Sequence, residues 1–371
     1  MKISHIILSL GKGGAEKLLV DHLPLYLKYG HQVEIVQLSS ILEAPDYIAE
    51  MKRHDIPVIT LSRGNFYNPL LLLKIYKFLK KTDSDIVHAH LFQSSYFVSL
   101  ASRLLRKSSF KLTFTEHNSE NGRNTKKILQ PLEKYIYSKY DGVIAISNYI
   151  NEKLTIWLGP SIKIVTLHNG VDVEKFKGAL SYSTIEFNKI LHRSDDKNYI
   201  DLLMVARFSP QKNHQMLIDA LQYLDSKFHV TFVGDGIGLE KIKFYVRDNS
   251  LHSRVHFLGF RNDIPRLMKT ASINVLSTHF EGMSGVTLEG MASGKPFIGS
   301  NVKGVNDIQT NPKYLFTNNE PNSLALLILK INENNTFRNN LILSQNSIIE
   351  IYSSELMVKN HLNFYNEILK N

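Results

Sequence analysis

The chain has 371 residues, 43% hydrophobic and 21% charged, with no cysteine and a formal net charge of +10. The composition is that of an ordinary folded protein and the length that of two domains, while the lack of cysteine excludes disulfides, thiolate nucleophiles and thiolate metal ligands. No apolar run approaches the roughly 20 residues of a membrane-spanning helix, and the apolar part of "MKISHIILSL" is too short for a secretory signal, so a cytoplasmic location is expected.

The positive charge is uneven. Residues 1–175 hold 23 Lys+Arg against 16 Asp+Glu, a net of +7, which leaves +3 for residues 176–371. Lysine-rich clusters lie at 74–81, 103–111 and 122–127. Such clusters attract phosphorylated substrates or anionic lipid. No nucleic-acid-binding module accompanies them, so no nucleic-acid partner is expected.

In chain order, "ISHIIL", "QVEIVQL", "PVITL", "DIVHAHL", "KLTFTEH", "GVIAIS" and "IKIVTLHNG" read as strands. Helical patterns such as "AEKLLVDHLPLYLKYG" and "NPLLLLKIYKFLKK" lie between them. This alternation predicts βαβ units and a parallel sheet. Residues 177–199 are polar and weakly periodic, a linker region with one helix. The alternation then restarts with "IDLLMVARF", "HVTFVGDG", "VHFLGF", "INVLST" and "PFIGS" as strands, separated by helices. The tail "SSELMVKNHLNFYNEILKN" is an amphipathic helix. The expected fold class is α/β, with two doubly wound parallel-sheet domains. The expected ligand site is the cleft between them, at the carboxyl ends of the strands.

The first chemistry-bearing stretch is "SLGKGGAEKLLV". Gly11, Gly13 and Gly14 follow a strand and open a helix, but the spacing fits a dinucleotide fingerprint poorly and no P-loop sequence follows. Gly13 and Gly14 would let backbone N–H groups approach a ligand at a helix N-terminus, where an anion is favoured. In the second half, Arg207 follows a strand and Lys212 comes five residues later. "FVGDG" is a second strand and glycine turn, with Gly234. Glu281 and Glu289, with seven residues between them, flank a Gly-Met-Ser-Gly-Val-Thr loop that opens a helix. His88 and His90 share a strand face, yet no third zinc ligand is evident. Asp83 and Asp85 precede a strand and read as a turn. No metal site is expected.

Taken in order, "GGAE" (13–16), "TEHN" (115–118), "DGVIAIS" (141–147), "HNGVD" (168–172), "VARFSPQKN" (205–213), "VGDG" (233–236), "FLGF" (257–260) and the Glu281/Glu289 pair resemble the retaining nucleotide-sugar glycosyltransferases of the GT-B fold, family 4-like. The resemblance covers nearly the whole chain. It implies an acceptor domain at 1–175, joined by a crossover helix at about 354–371, and a donor domain at 176–353. It implies that Arg207 and Lys212 grip the donor diphosphate and that Gly285, Val286 and Thr287 offer it backbone N–H groups. Glu281 would meet the sugar hydroxyls, Glu289 the ribose, and Phe260 and the Gly234 turn the nucleotide. His117 and the Gly13–Gly14 loop would face the sugar and acceptor. Where the family commonly has Gly-Phe-Gly-Leu after the first glutamate, this chain has Gly-Met-Ser-Gly.

The implied reaction is metal-independent transfer with retention, without a cofactor, from a nucleotide-diphosphate sugar, uridine first and guanosine second. The acceptor would be a glycan or lipid-linked hydroxyl in cell-surface polysaccharide assembly. The basic first domain would rest on an anionic membrane, peripheral to its inner face. The rival readings are a nucleotide-sugar epimerase or hydrolase, an NAD-dependent oxidoreductase on the first glycine loop, and a non-catalytic sugar-binding protein.

Overall fold

Runs such as Ile3–Ile7 and Val33–Val36 are apolar or uncharged at nearly every position, and such strands are stable only with both faces covered. The computed structural model, which describes residues 1–66, 68–117, 126–193, 197 and 199–370, buries them in that way. The first sheet comprises β1 (Lys2–Ile7), β2 (Gln32–Gln37), β3 (Val58–Thr60), β4 (Ile86–His90), β5 (Lys111–Glu116), β6 (Gly142–Ala145) and β7 (Ile164–Thr166). All pairs are parallel and the order is β3-β2-β1-β4-β5-β6-β7. The second sheet comprises β8 (Ile200–Val205), β9 (Phe228–Val233), β10 (Val255–Phe257), β11 (Ile273–Leu276), β12 (Phe297–Ser300) and β13 (Leu315–Phe316). It is also parallel, in the order β10-β9-β8-β11-β12-β13. The α/β doubly wound class expected from the alternation is the fold observed, in both halves.

The chain divides into two compact units, Met1–Asn169 with Ser354–Asn371, and Gly170–Ser353. The C-terminal helix Ser354–Lys370 belongs to the first unit for a physical reason. Its Met357, Val358, Phe364, Tyr365 and Ile368 are buried in one cluster with Ile3, Ile7, Leu19 and Leu23. Polar side chains along the same seam are paired: His22 Nε2 with Ser354 Oγ at 2.6 Å, and Tyr26 OH with His361 Nδ1 at 2.9 Å.

Among its described residues, the weakly periodic stretch 177–199 holds the helix Thr184–Ile190, started by a reciprocal capping box between Ser183 and Glu186. Ahead of it, Asp172 caps Val173–Lys177 by accepting the Lys175 N–H at 3.0 Å. Two further helices, Pro321–Glu333 and Asn335–Ile349, cover the second sheet's β12–β13 side with Leu324, Ile328, Ile331 and Leu341 buried.

Each sheet reverses its winding direction once, between β1 and β4 and between β8 and β11. In open parallel sheets the loops diverge at such a point and leave a crevice beyond the carboxyl ends of the strands. The loops that leave these four strand ends carry Gly13–Gly14, the segment after His90, Arg207–Lys212 and Glu281.

Candidate active site

In the second unit, backbone contacts lace the loop after β8 to the loop after β11. The Asn213 N–H donates to Ser277 O at 3.1 Å, the His279 N–H to Gln211 O at 2.9 Å, and Gln211 Nε2 to Phe280 O at 2.6 Å. This stitching brings Lys212 Nζ onto Glu281 Oε1 as an ion pair, with the side chains only 16% and 9% exposed. At that exposure the pair is largely out of water. Removing one partner therefore costs more than at a surface pair, because the other charge is left half-desolvated. Glu281 is held from behind: its N–H donates to Lys303 O and the Ser284 N–H to Gly304 O, both at 3.2 Å.

The helix Gly285–Ala292 starts immediately beyond. Ser284 is its N-cap, and Ser284 Oγ accepts the Thr287 N–H at 3.2 Å. This corrects one expectation. The Thr287 N–H is taken by the cap, so the first-turn donors without a partner among the described residues are Gly285 and Val286. Thr287 keeps a buried Oγ1 with no partner among the described residues. Glu289 stands four residues on from Gly285, on the same helix face and partly exposed. The sequence signal for this cap is Ser284 itself, a serine directly before the first helical residue.

Gly234 ends β9 with φ at +140°, and a Cβ there would stand 2.1 Å from Ala206 O. Only glycine allows so close a crossing. The Gly234 N–H donates to Gly259 O at 2.8 Å, which ties the ends of β8, β9 and β10 together. Arg207, Gly234 and the exposed Phe260 therefore share one sheet edge with Lys212 and Glu281.

In the first unit, Gly13 is the N-cap of the helix Gly14–Lys28 and has no side-chain cap. The glycine that the fold itself requires is Gly11, where a Cβ would come 2.8 Å from Leu42 O. Gly14 is exposed, and nothing lies within 4 Å of the Cβ it lacks. Its small size is thus free to serve close approach by a ligand.

His117 follows β5. Its Nε2 lies 3.4 Å from His90 Nδ1, and burial holds its pKa down to about 4. Its neighbour Glu116 is buried and accepts the Tyr137 hydroxyl at 3.0 Å. Asn118 of "TEHN", and residues 122–125 of a basic cluster, lie outside the described residues. Asp83 pairs with Lys2, and Asp85 accepts the Lys2 N–H at 2.8 Å, as turn residues do.

The sequence found no third partner for His88 and His90. The parallel pairing of β1 with β4 places His5 opposite His88, and the three rings bring ligand atoms within 4.8 Å of one another. Both His88 nitrogens are already engaged, by Tyr365 OH at 2.6 Å and Thr115 Oγ1 at 2.7 Å. His5 Nδ1 faces His90 Nε2 at 3.0 Å. Hydrogen bonding thus accounts for the arrangement. Spacing alone could not reveal His5, because β1 and β4 are neighbours only in the folded sheet.

Two doubly wound parallel-sheet units of this order are the GT-B architecture. Residues 12–175 match Glycosyltransferase Family 4 and residues 186–346 match Glycosyl transferases group 1, and the chain belongs to this family of glycosyltransferases. It is 27% identical over 376 residues to the Escherichia coli UDP-Gal:alpha-D-GlcNAc-diphosphoundecaprenol alpha-1,3-galactosyltransferase, covering 97% of this chain and 94% of that one. It is 24% identical to the Campylobacter jejuni N-acetylgalactosamine-N,N'-diacetylbacillosaminyl-diphospho-undecaprenol 4-alpha-N-acetylgalactosaminyltransferase, covering 91% and 88%. In fold it resembles the crystal structure of Anabaena HepE in complex with UDP and glucose, with a TM-score of 0.84 at 20% identity over 99% of both chains.

Proposed function

We propose that the protein transfers a sugar, with retention, from a UDP-sugar to a hydroxyl of a diphosphate-lipid-linked glycan in cell-surface polysaccharide assembly. The observation that carries the donor side is the shielded Lys212–Glu281 pair beside the uncapped N–H groups of Gly285 and Val286. A cation and a helix N-terminus on one edge suit a diphosphate. Similarity over nearly the full length to a UDP-galactose transferase that acts on a diphosphoundecaprenol-linked sugar supports the nucleotide and the acceptor class.

On this reading, Lys212 and Arg207 hold the diphosphate and stabilise its charge as it leaves. Glu281 orients the sugar hydroxyls, Glu289 the ribose, and Phe260 lies on the base. The Gly13–Gly14 backbone and His117 serve the sugar and the acceptor. The bond from the sugar's anomeric carbon to the phosphate oxygen breaks, and the acceptor oxygen bonds that carbon on the same face. The acceptor's proton passes to the departing phosphate. The two cations supply the positive charge at the leaving group, and no metal is assigned to that role.

On this reading the enzyme works at a membrane surface, where a lipid-linked acceptor lies. Among the described residues no helix is long and apolar enough to cross a membrane. The helix Leu70–Lys81 exposes Leu70 and Leu73 beside Lys74, Lys77, Lys80 and Lys81, a pattern suited to peripheral binding to anionic lipid. The test is proton NMR of UDP-galactose with the enzyme, with and without an undecaprenyl-diphosphate-linked GlcNAc in anionic vesicles. The expected result is donor consumption only when acceptor vesicles are present, with an α-configured product. Consumption without acceptor would point to an epimerase or hydrolase, and a β-configured product would contradict retention.

A further inference from the structure

The buried histidines of the first sheet form a hydrogen-bonded line that ends on His117. His5 Nδ1 meets His90 Nε2 at 3.0 Å, and His90 Nδ1 meets His117 Nε2 at 3.4 Å. The His5 and His90 rings meet edge to edge, with centroids 5.2 Å apart and planes only 26° apart, as an in-line hydrogen bond between two imidazoles needs. At the far end, His5 Nε2 is buried and has no partner among the described residues. Strand register builds the line: β1 sets His5 opposite His88, and β5 sets Thr115, two residues before His117, opposite His90. His88 stands outside it, bonded to Tyr365 and Thr115.

A neutral imidazole has one N–H and one lone pair. Burial holds the pKa of His5 at about 3 and of His117 at about 4, and pushes His90 well below the ordinary value, so all three rings are neutral near pH 7. In a line of neutral rings every N–H must point the same way, which leaves two arrangements. If the protons point inward, His5 is left with a buried Nε2–H and no acceptor. If they point outward, His5 buries a lone pair instead. Orphaned buried N–H groups are the rarer case in folded proteins. The outward arrangement puts the proton of His117 on Nδ1.

We infer that His5 and His90 are positioning residues that lock His117 as its Nδ1–H tautomer, so that His117 offers substrate one N–H donor and no basic nitrogen. The consequence for catalysis rests on the proposed role of His117; the tautomer belongs to the ligand-free protein. With Nε2 tied to His90 and Nδ1 protonated, His117 cannot take the acceptor's proton. It can donate to a sugar or phosphate oxygen, which suits a reaction in which the leaving phosphate takes that proton.

The test uses the full chain labelled with 15N-histidine and long-range 1H–15N correlation spectra. Among the 15 histidines, the signals lost in His117→Asn identify His117. The wild type should show a single His117 tautomer protonated at Nδ1. His90→Leu should give mixed tautomers and lower kcat by about 10- to 100-fold, the usual cost of losing a group that orients a functional histidine, with KM for the donor little changed. His90→Asn, whose amide reaches the place of Nδ1, should restore the Nδ1–H form and most of the rate. A wild-type His117 protonated at Nε2, or an unchanged His117 spectrum in His90→Leu, would overturn the inference; should that variant not fold, the wild-type spectrum alone decides. The predicted spectra with unaltered turnover in His90→Leu would support the lock and contradict the catalytic role proposed for His117.

Discussion

Lys212→Ala is expected to lower kcat/KM by about 10²- to 10³-fold, the scale seen when one preorganised group that stabilises transition-state charge is removed. Two effects combine. The leaving diphosphate loses a cation, and Glu281, only 9% exposed, loses its counter-charge. The second effect is one of stability, and a Lys212→Ala/Glu281→Gln double variant separates the two. Neutralising Glu281 removes the buried negative charge that Lys212 opposed, so the double variant should recover much of the melting temperature lost in Lys212→Ala. It should not recover turnover, because the diphosphate still lacks its cation. Thermal melts and steady-state kinetics on the three proteins check this. Recovery of turnover along with stability would mean that Lys212 is only a structural partner of Glu281.

Acidification is expected to destabilise the protein strongly, well above the pH at which carboxylates titrate. Burial holds His5, His256 and His361 at about 3 and His117 and His214 at about 4, against 6.5 for a free histidine. Above about pH 6.5 these groups are neutral in both states and cost nothing. As pH falls below that, the unfolded chain takes up protons that the folded rings refuse, so stability is lost between pH 6.5 and the folded values. At about pH 5 each such ring contributes on the order of 2 kcal/mol in this idealised linkage. Glu133, which burial pushes up to about 7, runs the other way and offsets part of the loss. The melting temperature should therefore fall by roughly 10 °C or more from about pH 7.5 to about pH 5. A melting temperature flat across that range would mean that the rings are solvated or already protonated in the native state.

The sequence made the strands and the site loops legible where physical patterns are strong. Apolar runs broken by glycine turns marked β1 and β9, and the resemblance singled out Arg207, Lys212, Glu281 and Glu289 from ordered short motifs. What it did not show depends on neighbours distant in sequence. The strand β13, only Leu315–Phe316, is too short to carry a pattern of its own. The lacing of Gln211 and Asn213 to Ser277–Phe280 arises only because β8 and β11 are adjacent in the sheet. The same holds for His5, which meets His90 across the β1–β4 switch point. The tail was readable as amphipathic from its own periodicity. Its polar seam with His22, Tyr26 and His88 was not, because those partners lie some 280 to 330 residues earlier.

The most direct measurement is calorimetric titration of the protein with UDP, GDP and NAD, repeated on Lys212→Ala. UDP should bind the wild type in preference to GDP, NAD should not bind, and Lys212→Ala should weaken UDP by at least about tenfold, equivalent to about 1.4 kcal/mol. Binding of NAD, or UDP affinity unchanged in Lys212→Ala, would contradict a uridine-sugar donor held at the strand ends of the second unit.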